Sequence, residues 1–439
     1  MKFKDKKVLV IGGARSGVAV SKLLKNEGAT VCLNDASTIE NKEELLHLGI
    51  EVLEAGHPDF LKNTEWDFVV KNPGIPYHVP FVKWFEDHSI KIYTEIEIAY
   101  CCAPRFHYGA ITGTNGKTTI TSILYALLQK NHRALVAGNI GCPLSELASQ
   151  YGDEEKDVAL ELSNFQLLGI DTFHPEIAVI CNLAPDHLDY MGNVEAYYQS
   201  KVKIAQNQTK DDWFLRNVDD EIVMQYTKDI KATMIDYSLI KEDVDLCIQD
   251  GWATLRGLRL FEVASLKIVG SHNLSNAMIA ACMAYKLGVS IQNIQEGIAE
   301  FEAIEHRLEF CGNINGVTYY NDSKATNTDA VVTALKAFDK NIILLAGGHD
   351  KGISFEPLKA FDQRVKCCVA FGETKEKFQT IFSRSHICED MKEAFDYANL
   401  IAEKGDVILL SPACSSYDQF DNYEQRGEIF KEYVKDYIK

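Results

Sequence analysis

The chain has 439 residues, 46% of them hydrophobic and 25% charged, with a formal net charge of −18. That length exceeds one hydrophobic core and implies about three domains of ordinary soluble composition. The negative charge argues against nucleic acid or an anionic membrane surface as partner, so anionic substrates must rely on a few local cations.

The basic start, Met1–Lys7, leads into only four apolar residues before Gly12-Gly13. That is a first strand, too short for a signal peptide or a membrane span. The strand Val8–Ile11 is followed by Gly12-Gly13-Ala14-Arg15-Ser16-Gly17 and a helix to Asn26. A second strand, Thr30–Leu33, ends at Asn34-Asp35. The pattern resembles a dinucleotide fingerprint with its acidic residue after the second strand, although Ala14 replaces the middle glycine. It points to a nucleotide diphosphate more than to NAD; glycines serving only a tight turn are the alternative. A third strand, Phe68–Val70, runs into the turn Asn72-Pro73-Gly74-Ile75-Pro76. The 12 cysteines form no Cys-x-x-Cys, and most sit in apolar runs, as Cys32, Cys181 and Cys282 do. They read as reduced cytosolic thiols.

The next unit holds the strongest signal. The apolar run Tyr108–Ile111 ends in Thr112-Gly113-Thr114-Asn115-Gly116-Lys117-Thr118-Thr119, and a helical pattern follows from Ile120 to Leu128. Strand, glycine loop and helix N-terminus together wrap phosphate; Lys117 can reach its outer oxygens and Thr118 can ligate Mg²⁺. The general motif wants glycine at 111, where this chain has Ile111. The strand Val158–Leu160 ends at Glu161, a position suited to a Mg²⁺ ligand or to a solvated carboxylate. The strand Ile177–Cys181 leads to Asp186-His187, where His187 is either a metal ligand or structural. A helix from Val194 to Gln206, capped by Asn193, places Tyr197, Tyr198, Lys201, Ile204 and Ala205 on its apolar face, with Lys203 pointing away. Lys201 there is either a snorkelling lysine or a functional one facing the nucleotide site. Asn273 and Asn276 stand three apart at a helix start, and Arg307 is a candidate phosphate clamp or a surface arginine.

From His306 onward, the strands Val317–Asn321, Ile342–Leu345, Cys368–Phe371 and Val407–Leu410 each end in polar or glycine-rich loops. Strands alternating with helices throughout predict an α/β architecture with parallel sheets and ligand-binding edges where the strands end.

Taken in order, Thr112–Thr118, Glu161, Asp186-His187, Lys201, His272-Asn273 and His306-Arg307 resemble the Mur ligase family over essentially the whole chain. These are ATP-dependent, amide-forming ligases of peptidoglycan synthesis. Asn321–Asn327, Ser411–Phe420, Asn139-Ile140-Gly141 and Asn422–Gly427 are similar to the member that adds D-glutamate. Sister ligases tend to read Asp-Tyr-Ala-His, Asp-x-Tyr-Asn or Asp-Gly-Ala-His where this chain reads Asp322-Ser323-Lys324-Ala325. Tyr423 stands where phenylalanine is usual, and Arg15 is not the residue the family leads one to expect near the diphosphate.

The resemblance implies three domains: a Rossmann-like UDP-substrate domain at 1–95, a central P-loop ATPase-like domain at 96–302, and a Rossmann-like amino-acid-binding domain at 303–439. The linkers near 95 and 303 become the expected hinges. The implied reaction adds D-glutamate to UDP-N-acetylmuramoyl-L-alanine through an acyl phosphate, in a cytoplasmic monomer with neither nucleic acid nor membrane as partner. Alternatives are a sister ligase for another amino acid and a Rossmann-type nucleotide-binding oxidoreductase.

By the same resemblance, Gly113, Thr114, Asn115, Gly116, Lys117, Thr118 and Thr119 bind ATP together with Asn273, Asn276, Arg307 and Asp322. Thr118 and Glu161 hold one Mg²⁺ and His187 a second, with Lys201 carbamylated into a carboxylate-like ligand. Gly12, Arg15, Ser16, Gly17, Asp35, Asn72, Pro73 and Gly74 hold the uridine nucleotide, while Asn139, Ser163 and Gln166 face the muramoyl-alanine end. Lys324, Thr326, Lys351, Ser416 and Tyr423 hold glutamate. Lys117, Glu161, His187, Lys201 and Lys324 are the catalytic set.

Overall fold

The computed structural model describes residues 3–186, 188–302 and 305–438 and arranges their strands in three sheets. The α/β class expected from the sequence is the one observed. The chain divides into two compact units, Met1–Ser265 with Ser275–Ala299, and Leu266–Leu274 with Glu300–Lys439.

The first unit contains two sheets. One has five parallel strands in the spatial order Glu51–Leu53, Thr30–Asn34, Lys7–Ile11, Phe68–Lys71 and Ile92–Tyr93. Val8, Leu9, Val10 and Ile11 are buried on both faces, as a central parallel strand requires. Strand order reverses beside Lys7–Ile11, so the glycine loop after Ile11 and the Asn72 turn after Lys71 meet at the switch point where α/β sheets bind ligands. At Gly17 an added Cβ would lie 1.8 Å from the Gly12 carbonyl oxygen, so only glycine lets the helix Arg15–Asn26 pack this close.

The second sheet has nine strands, among them Phe106–Thr112, which lies between Lys156–Glu161 and Ile177–Ile180. Ile111 pairs with Glu161 and Thr112 with Ile180, which sets the three following loops side by side at one edge. Trp213–Asn217, Thr233–Tyr237 and Leu246–Gln249 extend the sheet in parallel. Trp252–Leu255 and Leu258–Glu262 then run antiparallel, a departure from the all-parallel expectation. Their tight turns, Asp250-Gly251 and Arg256-Gly257, carry positive φ at both residues and match the twist of a two-residue hairpin.

The linker near 95, expected as a hinge, is fastened to the helices and connecting segment that flank this second sheet. The fully buried Glu97 carboxylate accepts the N–H groups of Asp171, Thr172 and Phe173 at 2.9, 2.8 and 3.0 Å. Glu95 accepts the Ser145 N–H at 2.9 Å, and the Thr94 hydroxyl donates to the Gln166 carbonyl at 2.7 Å. The second expected hinge, at 303, lies outside the described residues.

The second unit holds a six-stranded sheet in the order Glu309–Ile314, Val317–Asn321, Val407–Leu410, Ile342–Gly347, Val365–Phe371 and Ser385–Ile387. The first of these strands is antiparallel and the rest are parallel. All twelve cysteines are free. Among the described residues no helix is long and apolar enough to cross a membrane.

Candidate active site

The phosphate loop sits on a rigid base. The helix Lys117–Gln129 buries Ile120, Ile123, Leu124, Leu127 and Leu128 completely, each contributing about 1.5–3 kcal/mol. Its N-cap is Gly116, at φ +86°, and no side chain caps the first turn, which leaves those N–H groups to an anion. A Cβ at Gly116 would meet the Asn276 amide oxygen at 2.9 Å, so Asn276 borders the loop. The next loop of the sheet clamps this one. Asn182 accepts from the Asn115 N–H and donates to its carbonyl, each at 2.9 Å, and the Thr114 hydroxyl donates to Ala184 O at 3.0 Å. Asn182 was not foreseen, because the backbone groups it holds lie 67 residues away in the chain.

Two lysines converge on one oxygen. The Gly113 carbonyl accepts from Lys117 Nζ and from Lys201 Nζ, both at 2.8 Å. Lys201 is 1% exposed and lies over the Tyr197 ring, with Nζ 4.6 Å from the centroid. Burial, aided by the Lys117 charge, brings its pKa down to about 7. The Asn193 cap is present, accepting from the Ala196 N–H at 2.8 Å and adding about 1 kcal/mol. Lys203 does not point away: it is half-buried, with Nζ 3.3 Å from the Leu168 carbonyl.

Glu161 is also 1% exposed. Its Oε1 accepts from Asn139 Nδ2 at 2.7 Å, while Oε2 is buried and finds no donor among the described residues. A buried carboxylate oxygen left without a donor suits a divalent cation, and Thr118, on the first turn of the loop helix, offers a hydroxyl oxygen. The residues present therefore fit Mg²⁺. His187 lies outside the described residues.

At the switch point of the first sheet, a cavity of about 720 Å³ is lined by Gly13, Ala14, Arg15, Asp35 and Ser37 among others. Asp35 accepts the Gly13 N–H at 2.6 Å and the Ser37 N–H at 2.8 Å. Asn72 joins the two loops, donating to the Ser16 hydroxyl at 3.0 Å while its Oδ1 accepts the Gly74 N–H at 3.0 Å. Arg15 reaches the Gly141 carbonyl at 3.0 Å and Glu146 at 3.6 Å. Ser163 and Gln166, expected to face the substrate, are engaged locally: they form a reciprocal capping box on the short helix Asn164–Leu167.

In the second unit Asn273 donates to the Val269 carbonyl at 2.8 Å. Arg307 carries a buried Nε without an acceptor among the described residues, as a waiting anion clamp would. Burial of His272, aided by the Arg307 and Lys336 charges, brings that imidazole down to about 4. Lys351 donates to the Thr326 carbonyl at 2.7 Å, and Lys324 Nζ lies 5.3 Å from the Tyr423 ring centroid. Ser416 is 2% exposed on the adjoining loop. Arg426, which lies within Asn422–Gly427 and carries no signal of its own in the sequence, fastens these loops. It is fully buried and donates to the Ser323 hydroxyl, the Ser323 carbonyl and the Cys414 carbonyl at 2.9, 2.8 and 3.1 Å.

Asp322 is buried with both oxygens engaged, one by the Leu308 N–H at 3.2 Å and one by the Ser411 hydroxyl at 2.7 Å. Burial raises its pKa from 3.8 to about 7. The folded unit therefore keeps a proton that the unfolded chain releases, and stability falls as pH rises from the lower value to the higher. The expected loss over that window is of order 2–4 kcal/mol. Asp322→Asn should flatten it, as urea unfolding of the second unit at pH values across the window would reveal.

Sequence relationships agree with this geometry. The Mur ligase middle domain matches residues 111–284, and the Mur ligase, glutamate ligase domain matches residues 306–414. The chain belongs to the Mur ligase family. It is 41% identical to the UDP-N-acetylmuramoylalanine--D-glutamate ligase of Geobacillus sp. (strain WCH70), covering 98% of this chain and 97% of that one. It is 39% identical to the ligase of the same name from Ligilactobacillus salivarius, covering 99% and 97%. In fold it is similar to the MurF ligase of Thermotoga maritima solved in complex with ADP, with a TM-score of 0.63, 17% identity, and coverage of 99% of this chain and 96% of that one.

Proposed function

We propose that this enzyme adds D-glutamate to UDP-N-acetylmuramoyl-L-alanine at the expense of ATP. The observation that carries the reading is the likeness of about 40% over nearly the full length to ligases of that printed name. The convergence of Lys117 and Lys201 on the Gly113 carbonyl, with Glu161 paired to Ile111 at the adjacent strand end, supports the chemistry.

A carboxylate cannot expel oxide, so it is first activated: the muramoyl-alanine carboxylate attacks the γ-phosphate in line and yields an acyl phosphate and ADP. The glutamate amine then attacks the acyl carbon, and phosphate leaves from the tetrahedral adduct. Catalysis in such a site is positioning and charge neutralisation. Lys117 and the first-turn N–H groups hold the phosphates. Thr118 and Glu161 hold one Mg²⁺, and His187 a second; when bound, the ions neutralise charge on the transferred phosphoryl group. Lys201 reacts as the neutral amine with carbon dioxide, releasing a proton and becoming a carbamate. That conversion removes the repulsion of two cations on the Gly113 carbonyl and supplies an oxygen ligand. Asn273, Arg307 and Asp322 serve adenine and ribose. Lys324 and Lys351 meet the glutamate carboxylates, with Thr326, Ser416 and Tyr423 around them. The domains are 1–95, 96–302 and 303–439, and the protein works as a cytoplasmic monomer.

ADP release with ATP, Mg²⁺ and UDP-N-acetylmuramoyl-L-alanine, measured across D-glutamate, L-glutamate, L-lysine and no amino acid, tests this. Release with D-glutamate alone is the expected result. Release with a different amino acid would keep the mechanism and reassign the amino-acid-binding domain to a sister activity.

A further inference from the structure

Lys71 is the last residue of the strand Phe68–Lys71, and its side chain is 0% exposed. Among the described residues it makes no ion pair. Its Nζ donates to the Asn72 carbonyl at 3.1 Å and to the Ile75 carbonyl at 2.6 Å, and lies 4.5 Å from the centre of the Tyr77 ring. Burial alone brings its pKa down to about 7. An amine hidden this way is costly to the fold and adds nothing to packing that a methionine would not. Such a cost persists where function needs the group.

The surroundings say what the group does. Lys71 draws two carbonyls of the turn 72–75 inward. The outward side of that turn is organised by Asn72, which holds the Gly74 N–H and the Ser16 hydroxyl of the glycine loop. Tyr190, from the segment just beyond Asp186–Asp189, closes the arrangement from the other side. Its hydroxyl lies 3.5 Å from Lys71 Nζ and donates to the Ile75 carbonyl at 3.0 Å. Its ring packs on Phe165 with centroids 4.3 Å apart, and Phe165 lies within the capped helix that follows Glu161.

We propose that Lys71 is a positioning residue for the uridine-nucleotide end of the substrate, holding the turn 72–75 against the glycine loop and, through Tyr190 and Phe165, at a set distance from the loop after Glu161. The inference rests on the function proposed above. Lys71 touches neither reacting atoms nor ATP; it fixes the frame along which a long substrate is stretched.

Lys71→Met tests it. The Michaelis constant for UDP-N-acetylmuramoyl-L-alanine should rise roughly tenfold or more, while those for ATP and D-glutamate stay within about twofold. The melting temperature should hold or increase, because a buried amine has become an apolar chain of similar length. Tyr190→Phe should raise the same constant by a smaller factor, and it carries the test alone if Lys71→Met does not fold. The double variant should fall short of the product of the two effects. An unchanged constant for the uridine substrate, or all three constants worsening together with a lower melting temperature, would overturn the proposal. Calorimetry on the unaltered enzyme separates the two layers: no binding of the uridine substrate there would overturn the functional reading and this inference with it.

Discussion

Lys201→Ala is expected to lower turnover by roughly three orders of magnitude, with partial recovery when formate or acetate is added. The expectation comes from the Gly113 carbonyl, which receives two lysine side chains at the same distance. Two cations on one oxygen, in a site where burial has already brought one of them down to about 7, is an unstable arrangement. Carbamylation resolves it by turning the second cation into an anion. A small carboxylate diffusing into the space left by the alanine would replace that anion without the tether. Labelled bicarbonate should give a carbamate carbon signal in the unaltered enzyme that vanishes in Lys201→Ala. Full activity in the alanine variant, or a complete lack of rescue together with no carbamate signal, would return Lys201 to a purely structural role.

Lys117→Ala should be at least as damaging, with kcat falling by roughly 10³-fold or more, because phosphoryl transfer depends on neutralising charge at the transferred group. The helix it begins should remain, since its buried face is supplied by Ile120, Ile123, Leu124, Leu127 and Leu128. Circular dichroism and melting should therefore change little while ADP release collapses. A second consequence is local. The Lys117 charge helps hold Lys201 down, so its removal should make the Lys201 amine more basic. Lys117→Arg tests geometry against charge: the planar fork cannot reproduce a point contact on the Gly113 and Thr114 carbonyls, and recovery should be slight.

The phosphate-loop strand and helix, the glycine loop of the first sheet and the parallel strands of the third were legible because each pairs an apolar run with a loop whose residues have few other uses. Lys201 was legible for a different reason: Tyr197, Tyr198, Ile204 and Ala205 recur around it at helical spacing, and all are buried. The same reasoning failed two residues later. The α-helix ends at Val202 and gives way to a 3₁₀ turn at Lys203–Ala205, which changes the angle per residue and brings Lys203 against Leu168. Ser163 and Gln166 also form a capping box, and its Ser-x-x-Gln signature is present in the sequence. The hairpin turn at Asp250-Gly251 carries the Asp-Gly signature of a two-residue turn in the sequence itself. Asn182, Lys71 and Arg426 were beyond local pattern. Each acts on backbone atoms, the second on a turn next to it and on Tyr190, the others on loops far away in the chain. Only the folded strand order brings those groups together.

The buried carboxylate of Glu97 has a consequence for how this protein can be taken apart. By count, the chain before residue 95 looks like a free-standing module, but the residues that follow at once anchor three consecutive amides of the segment Asp171–Phe173. A seam stitched by a buried side chain that three backbone amides share is not a place to cut. A fragment that starts beyond Glu97 would leave those three amides with nothing to hold them. One that begins upstream of Thr94 would carry the stitch along, and that border is the natural one for dissecting or recombining this enzyme.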